Sequence, residues 1–204
     1  QATLSGTGET IGNVANLALV NLTTEPLRVY VPPTMLLSRS GKHQNYGLPR
    51  GHLVLLAAGA SALSRMNGYC LNGFLPPVGP QDRDELTMAD ANAPETRQTV
   101  DTCLGVEAAV SALHAEGAYA TDPPMDPALR IEAITQWTIW LLFAEQNGNP
   151  ISKDQFHQKV RELAKAQIGD LTAEQDAQLE AQANSLWNDF ALTNARAKIE
   201  KKPR

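Results

Sequence analysis

The chain has 204 residues, 43% of them apolar and 19% charged, and a net charge of -5. That apolar content excludes a wholly disordered chain, and the acidic balance lacks the basic stripe of a nucleic-acid binder. The most apolar stretch, Ile131 to Phe143, carries Glu132, Thr135 and Gln136 and falls short of the roughly 18 residues a membrane span needs, so no transmembrane helix is expected.

Residues 1–12, rich in Gly, Thr and Ser, read as an arm or an edge strand that could pair with a neighbour's sheet. Asn13 to Asn21 is a short apolar run bounded by Asn, of strand length, and Thr23 to Pro26 breaks it. Asn21-Leu22-Thr23 also has the pattern of a glycosylation acceptor. Leu27 to Val31 alternates as a half-buried strand does, and Pro32-Pro33 ends it. Ser38 to Gly51 has the composition of a loop. Leu53 to Leu56 and Ala60 to Met66 then read as two more strands about a turn at Gly59.

Pro76 to Pro94 carries four prolines among Asp82, Asp84, Glu85 and Asp90 and reads as a solvated connector. Beyond it the period lengthens. Val100, Leu104, Ala108 and Leu113 fit a helix over about 100–117. Asp126-Pro127 is a helix start, with Asn147-Gly148 as its stop. Ser152 with Gln155, and Thr172 with Gln175, are capping boxes that open two more helices. In the last of these, Leu179, Ala183, Leu186, Phe190 and Ala197 share a face that could be core or, around Trp187 and Phe190, a dock for another copy. The basic cluster Arg196, Lys198, Lys201, Lys202 and Arg204 reads as a solvated terminus. The expected fold is α+β: a small antiparallel β-sandwich over 1–75, a connector over 76–99, and about four bundled helices over 100–204.

Common catalytic signatures are missing: the chain has no phosphate-binding GxxxxGK[ST], no GxGxxG, no GxSxG and no HExxH. Gly59-Ala-Ser-Ala-Leu lacks the second glycine of a nucleophile elbow, which argues against a catalytic Ser61. His43, His52, His114 and His157 have no metal-ligand spacing, and Asp82 and Asp84 lack the apolar surroundings that raise a catalytic carboxyl. No enzyme, metal or cofactor is therefore expected. The chain opens on Gln1, as signal-peptide cleavage would leave it, and has two cysteines, Cys70 and Cys103, an even count that favours a disulfide in an exported protein. These features point to a secreted or cell-surface (or periplasmic) structural or interaction protein with a protein partner or self-assembly.

Two segments are more specific. Gly68-Tyr69-Cys70-Leu71-Asn72 ends the β-rich half, and Ile134-Thr135-Gln136-Trp137-Thr138-Ile139-Trp140 lies in the most apolar helix. The pair resembles the thioester domains of bacterial surface adhesins, which carry a Tyr-Cys-apolar motif early and Thr-Gln-x-Ala followed by Ile-Trp later. Thr138 stands where that motif has Ala. The resemblance implies that the Cys70 sulfur bonds to the side-chain carbonyl of Gln136 with loss of ammonia. The electrophile so formed would capture a surface amine, with Trp137 and Trp140 excluding water. A thioester and a Cys70–Cys103 disulfide are alternatives, since both use the same sulfur.

Overall fold

The computed structural model describes residues 1–200 as eight strands followed by four helices. Of the basic terminal cluster, Lys201, Lys202 and Arg204 lie outside the described residues. The chain divides after Leu104 into two compact units.

In the first unit, β1 (Ala2–Gly6), β2 (Ile11–Val20), β7 (Ser61–Cys70), β5 (Tyr46–Leu48), β4 (Thr34–Ser38) and β8 (Leu86–Met88) form one six-stranded sheet in that spatial order. The remaining strands, β3 (Leu27–Val31) and β6 (His52–Leu56), make a two-stranded ribbon. Every pairing is antiparallel. The strands thus divide six to two rather than into comparable sheets. The core holds Val14, Leu17, Leu36, Tyr46, Leu48, Met66, Cys70 and Val78.

Several expectations change in detail. The N-terminal arm is strand β1, paired with β2 from Ala2↔Leu19 to Gly6↔Ala15. Its far end is also occupied: Gly8 N–H donates to the Val78 carbonyl at 2.9 Å. A Cβ on Gly6 would sit 2.1 Å from that oxygen, so only glycine fits. The stretch read as a loop contains β5. Ala60 to Met66 lengthens to a ten-residue strand, because β2 is as long and pairs with it throughout, with a bulge between Asn13 and Ala15. The residues read as a connector carry β8, the buried Val78 and the start of the first helix. Asn21 is buried. Its amide donates to the carbonyls of Glu25 and Ala57, each at 2.8 Å, and its Oδ1 accepts from Thr23. In the folded chain both amide hydrogens are spent on this turn, which leaves none for a glycan.

Helix α1 (Pro94–Ala115) starts at a proline, six residues before its apolar period becomes visible at Val100. The other helices are α2 (Pro127–Gln146), α3 (Lys153–Ile168) and α4 (Ala173–Glu200), and α4 packs against both α2 and α3. Asp126 caps α2 by accepting from Ala128 and Leu129 N–H. Both capping boxes form reciprocally, Ser152 with Gln155 and Thr172 with Gln175. Phe190 is fully buried, with its ring 5.0 Å from Phe156, so it belongs to the core of this unit rather than to a docking face. No helix among the described residues is long and apolar enough to cross a membrane.

Candidate functional site

Cys70 is the last residue of β7 and is fully buried. Its N–H donates to the Thr10 carbonyl at 2.8 Å, and its cross-strand partner is Tyr46 on β5. Residues directly opposite on antiparallel strands share a face, so Cys70 stands beside the Tyr46 ring. The residues after it are pinned by Asn45. Leu71 N–H donates to the Asn45 carbonyl and Asn45 N–H donates to Asn72 Oδ1, each at 2.8 Å. Asn72, the last residue of the Tyr-Cys-Leu-Asn segment, therefore fixes the chain as it leaves the cysteine. Gln44 continues the seam, its Nε2 donating to the Leu75 carbonyl at 2.7 Å.

Glycine two residues before the cysteine is a steric requirement. A Cβ on Gly68 would come within 2.5 Å of the Gly47 carbonyl oxygen and 2.7 Å of Leu48 Cδ2. The Tyr46 hydroxyl accepts from Val78 N–H at 3.1 Å. Burial is the main cause that pushes its phenol up to about 12, with the charged forms of Cys70 and Asp82 acting in the same direction and the Val78 bond against it.

Cys103 is also buried, on α1, and no disulfide joins it to Cys70. Its sulfur lies 3.0 Å from the position a Cβ would take on Gly47. Alternation along β5 turns Gly47 to the face opposite Tyr46, and hence opposite Tyr46's partner Cys70. The even cysteine count in the sequence carries no information about that alternation.

Gln136 is 5% exposed on α2, where ten residues are buried. Trp137 beside it sits in an aromatic cluster, edge-on to Trp140 at 4.6 Å and to Phe156 at 4.5 Å. An ion pair holds the start of this helix: Arg130 Nε and Nη2 donate to Asp189 Oδ2 at 2.9 and 2.7 Å, and both side chains are buried. Ser185 accepts a further bond from Arg130 at 2.6 Å. Thr135 returns its hydroxyl to the Ile131 carbonyl at 2.8 Å. Two other polar atoms on the helix, Thr138 Oγ1 and Trp140 Nε1, are buried with no hydrogen-bond partner among the described residues. Cys70 and Gln136 thus lie one in each unit, each inside a well-packed element.

One polar cluster escaped the sequence. The side chain of Asp84, read above as solvated, is only 4% exposed. Its carboxylate accepts from Ser38 Oγ at 2.5 Å, Ser40 N–H at 3.0 Å, Ser40 Oγ at 2.8 Å and His43 Nδ1 at 2.8 Å. Burial alone would raise this carboxyl, but the bonds from Ser38, Ser40 and His43 outweigh it and hold the group well below the usual carboxylate range. An open cleft of about 440 Å³ adjoins it, lined in part by Arg39, Lys42, Arg83 and Glu85. Both charge signs are present there and Arg39 pairs with Glu85, so the cleft selects no particular ligand charge. Both serine hydroxyls donate to the aspartate and neither bonds to the His43 ring, so the group lacks the relay of a nucleophilic triad. Among the described residues no cluster of His, Cys, Asp and Glu could hold a metal ion.

Comparison with protein-family models, with curated proteins and with solved structures finds no match for this chain.

Proposed function

We propose that this chain is an exported cell-surface interaction protein, built as a small sandwich-like β unit and a helical-bundle unit, that captures partner amines through an internal thioester between Cys70 and Gln136. The observation that carries the reading is that both motif residues are buried in ordered elements, Cys70 at the end of β7 and Gln136 within α2. An acyl sulfide survives in water only where water is kept away, and the burial of Gln136 on the helix that carries the packed Trp137 and Trp140 rings supports such surroundings. In forming the bond, the Cys70 sulfur adds to Cδ of Gln136, the C–N bond breaks, and ammonia leaves with the thiol proton. In capture, an amine attacks the same carbon, the C–S bond breaks, and the sulfur regains a proton. The product is a substituted amide plus a free thiol. Each molecule reacts once, so the chain is a reagent rather than an enzyme.

Intact-mass spectrometry tests this directly. Wild-type protein should be lighter than its sequence by one ammonia and should gain methylamine on incubation. Cys70→Ala and Gln136→Ala should each have their full sequence mass and take up no amine. A wild-type mass equal to the sequence mass would end the proposal.

Self-association is a second reading, favoured by one face of the β3–β6 ribbon. There Tyr30 pairs with Leu53, and Leu55 stands opposite Arg28, with all three apolar side chains largely exposed. Light scattering across a concentration series would show dimers that the substitution Leu55→Lys abolishes; a monomer at all concentrations would discard it.

A further inference from the structure

Trp140 buries a hydrogen-bond donor, its indole N–H. The side chain is 7% exposed, and Nε1 has no acceptor among the described residues. A buried polar group left unsatisfied costs about 1–3 kcal/mol, so its retention calls for a cause. Its placement supplies one. At 3.6 residues per turn, Trp140 lies about 40° around the helix from Gln136 and one turn further on. Helical side chains lean toward the N-terminus, so the indole lies back over the turn that carries Gln136. The other partnerless group, Thr138 Oγ1, lies about 200° around the helix from Gln136, on the opposite side. Trp137 packs edge-on against the Trp140 ring at 82°, which limits the indole's freedom to turn elsewhere.

Building on the thioester reading above, we propose that the Trp140 indole N–H is the donor that receives the acyl oxygen of Gln136, in the thioester and in the tetrahedral species formed when an amine attacks it. As the amine nitrogen bonds to Cδ, the carbonyl electron pair moves onto oxygen, and an indole N–H one helical turn away with no acceptor among the described residues stabilises that charge. The pair then returns, the C–S bond breaks, and the sulfur leaves with its electrons and takes the proton the amine gives up. Trp140 transfers no proton. It is a fixed dipole, and this role is separate from the exclusion of water.

The test uses the full chain. Trp140→Phe keeps an aromatic ring and removes the donor. It should still lose ammonia, yet take up methylamine slower than wild type by about 10-fold or more, since single oxyanion donors elsewhere contribute on the order of 100-fold. Trp187→Phe, which removes an indole N–H on α4 and keeps a ring against Phe156, should react at the wild-type rate. Ultraviolet resonance Raman gives a second readout: an indole hydrogen-bond marker present in wild type and lost in both Cys70→Ala and Trp140→Phe. Equal capture rates for wild type and Trp140→Phe, or an equal slowing in Trp187→Phe, would overturn the proposal while leaving the thioester intact. If Trp140→Phe does not fold by circular dichroism, the Raman comparison of wild type with Cys70→Ala decides, and identical markers reject the donor. A wild-type chain of full sequence mass would remove the thioester, and the donor role with it.

Discussion

Thr138 carries a hydroxyl that no described residue uses. It is fully buried, and among the described residues its Oγ1 is without a partner, although Thr135 one turn earlier returns its own hydroxyl to a backbone carbonyl. Replacing it with a methyl of similar size removes an unsatisfied polar atom at little cost in packing. Thr138→Val is therefore expected to stabilise the protein by about 1 kcal/mol, read as a higher urea midpoint at unchanged slope. Asp84 gives the opposite sign. Its carboxylate is held below its unfolded value, so the stabilisation it contributes is complete above about pH 4 and is lost as pH falls through the lowered folded value. A series of urea melts should show that acid loss in wild type and a weaker one in Asp84→Asn. The variant itself should be about 2 kcal/mol less stable at neutral pH, because it leaves the donors of Ser38, Ser40 and His43 with poorer acceptors.

Elements differ in how far their residues announce them. The three later helices are spelled out locally by Asp126-Pro127 and two capping boxes, and each signal becomes a set of hydrogen bonds in the structure. Ser152→Ala is accordingly expected to cost about 1 kcal/mol, measurable as a lower thermal midpoint. Strand β8 and the Asp84 cluster could not be read in this way. Asp84 and Ser38 are 46 residues apart, and a Pro- and Asp-rich composition describes a solvated linker as well as a strand whose carboxylate is taken up by a distant loop. The candidate site divides along the same line. Cys70 and Gln136 stand out because their neighbours in sequence form motifs. Tyr46, Asn45 and the steric demand at Gly68 are supplied by strand pairing, which the sequence does not display. Gly68→Ala should destabilise the first unit by about 1–3 kcal/mol, since the new methyl meets a backbone carbonyl that cannot step aside. Chemical denaturation followed by Tyr fluorescence would report it.

For the whole molecule, the bonding of one sulfur sets which reagents matter. A disulfide closing about 33 residues would contribute about 3–4 kcal/mol and be forfeited on reduction. With Cys70 and Cys103 on opposite faces of β5, a phosphine reductant is expected to leave the melting temperature unchanged, and a drop of several degrees would contradict that arrangement. Helix α1 bears on any attempt to take the molecule apart. It runs unbroken from Pro94 to Ala115, while the boundary between the two units falls after Leu104, in its middle. Severing the polypeptide there would strip half a helix of its continuation, expose four backbone carbonyls on one fragment and four amides on the other, and loosen the turns that carry Thr99 and Cys103 against Gly47. Neither fragment would inherit an intact boundary. A gene designed to yield one unit alone should retain the whole of this helix or omit it entirely.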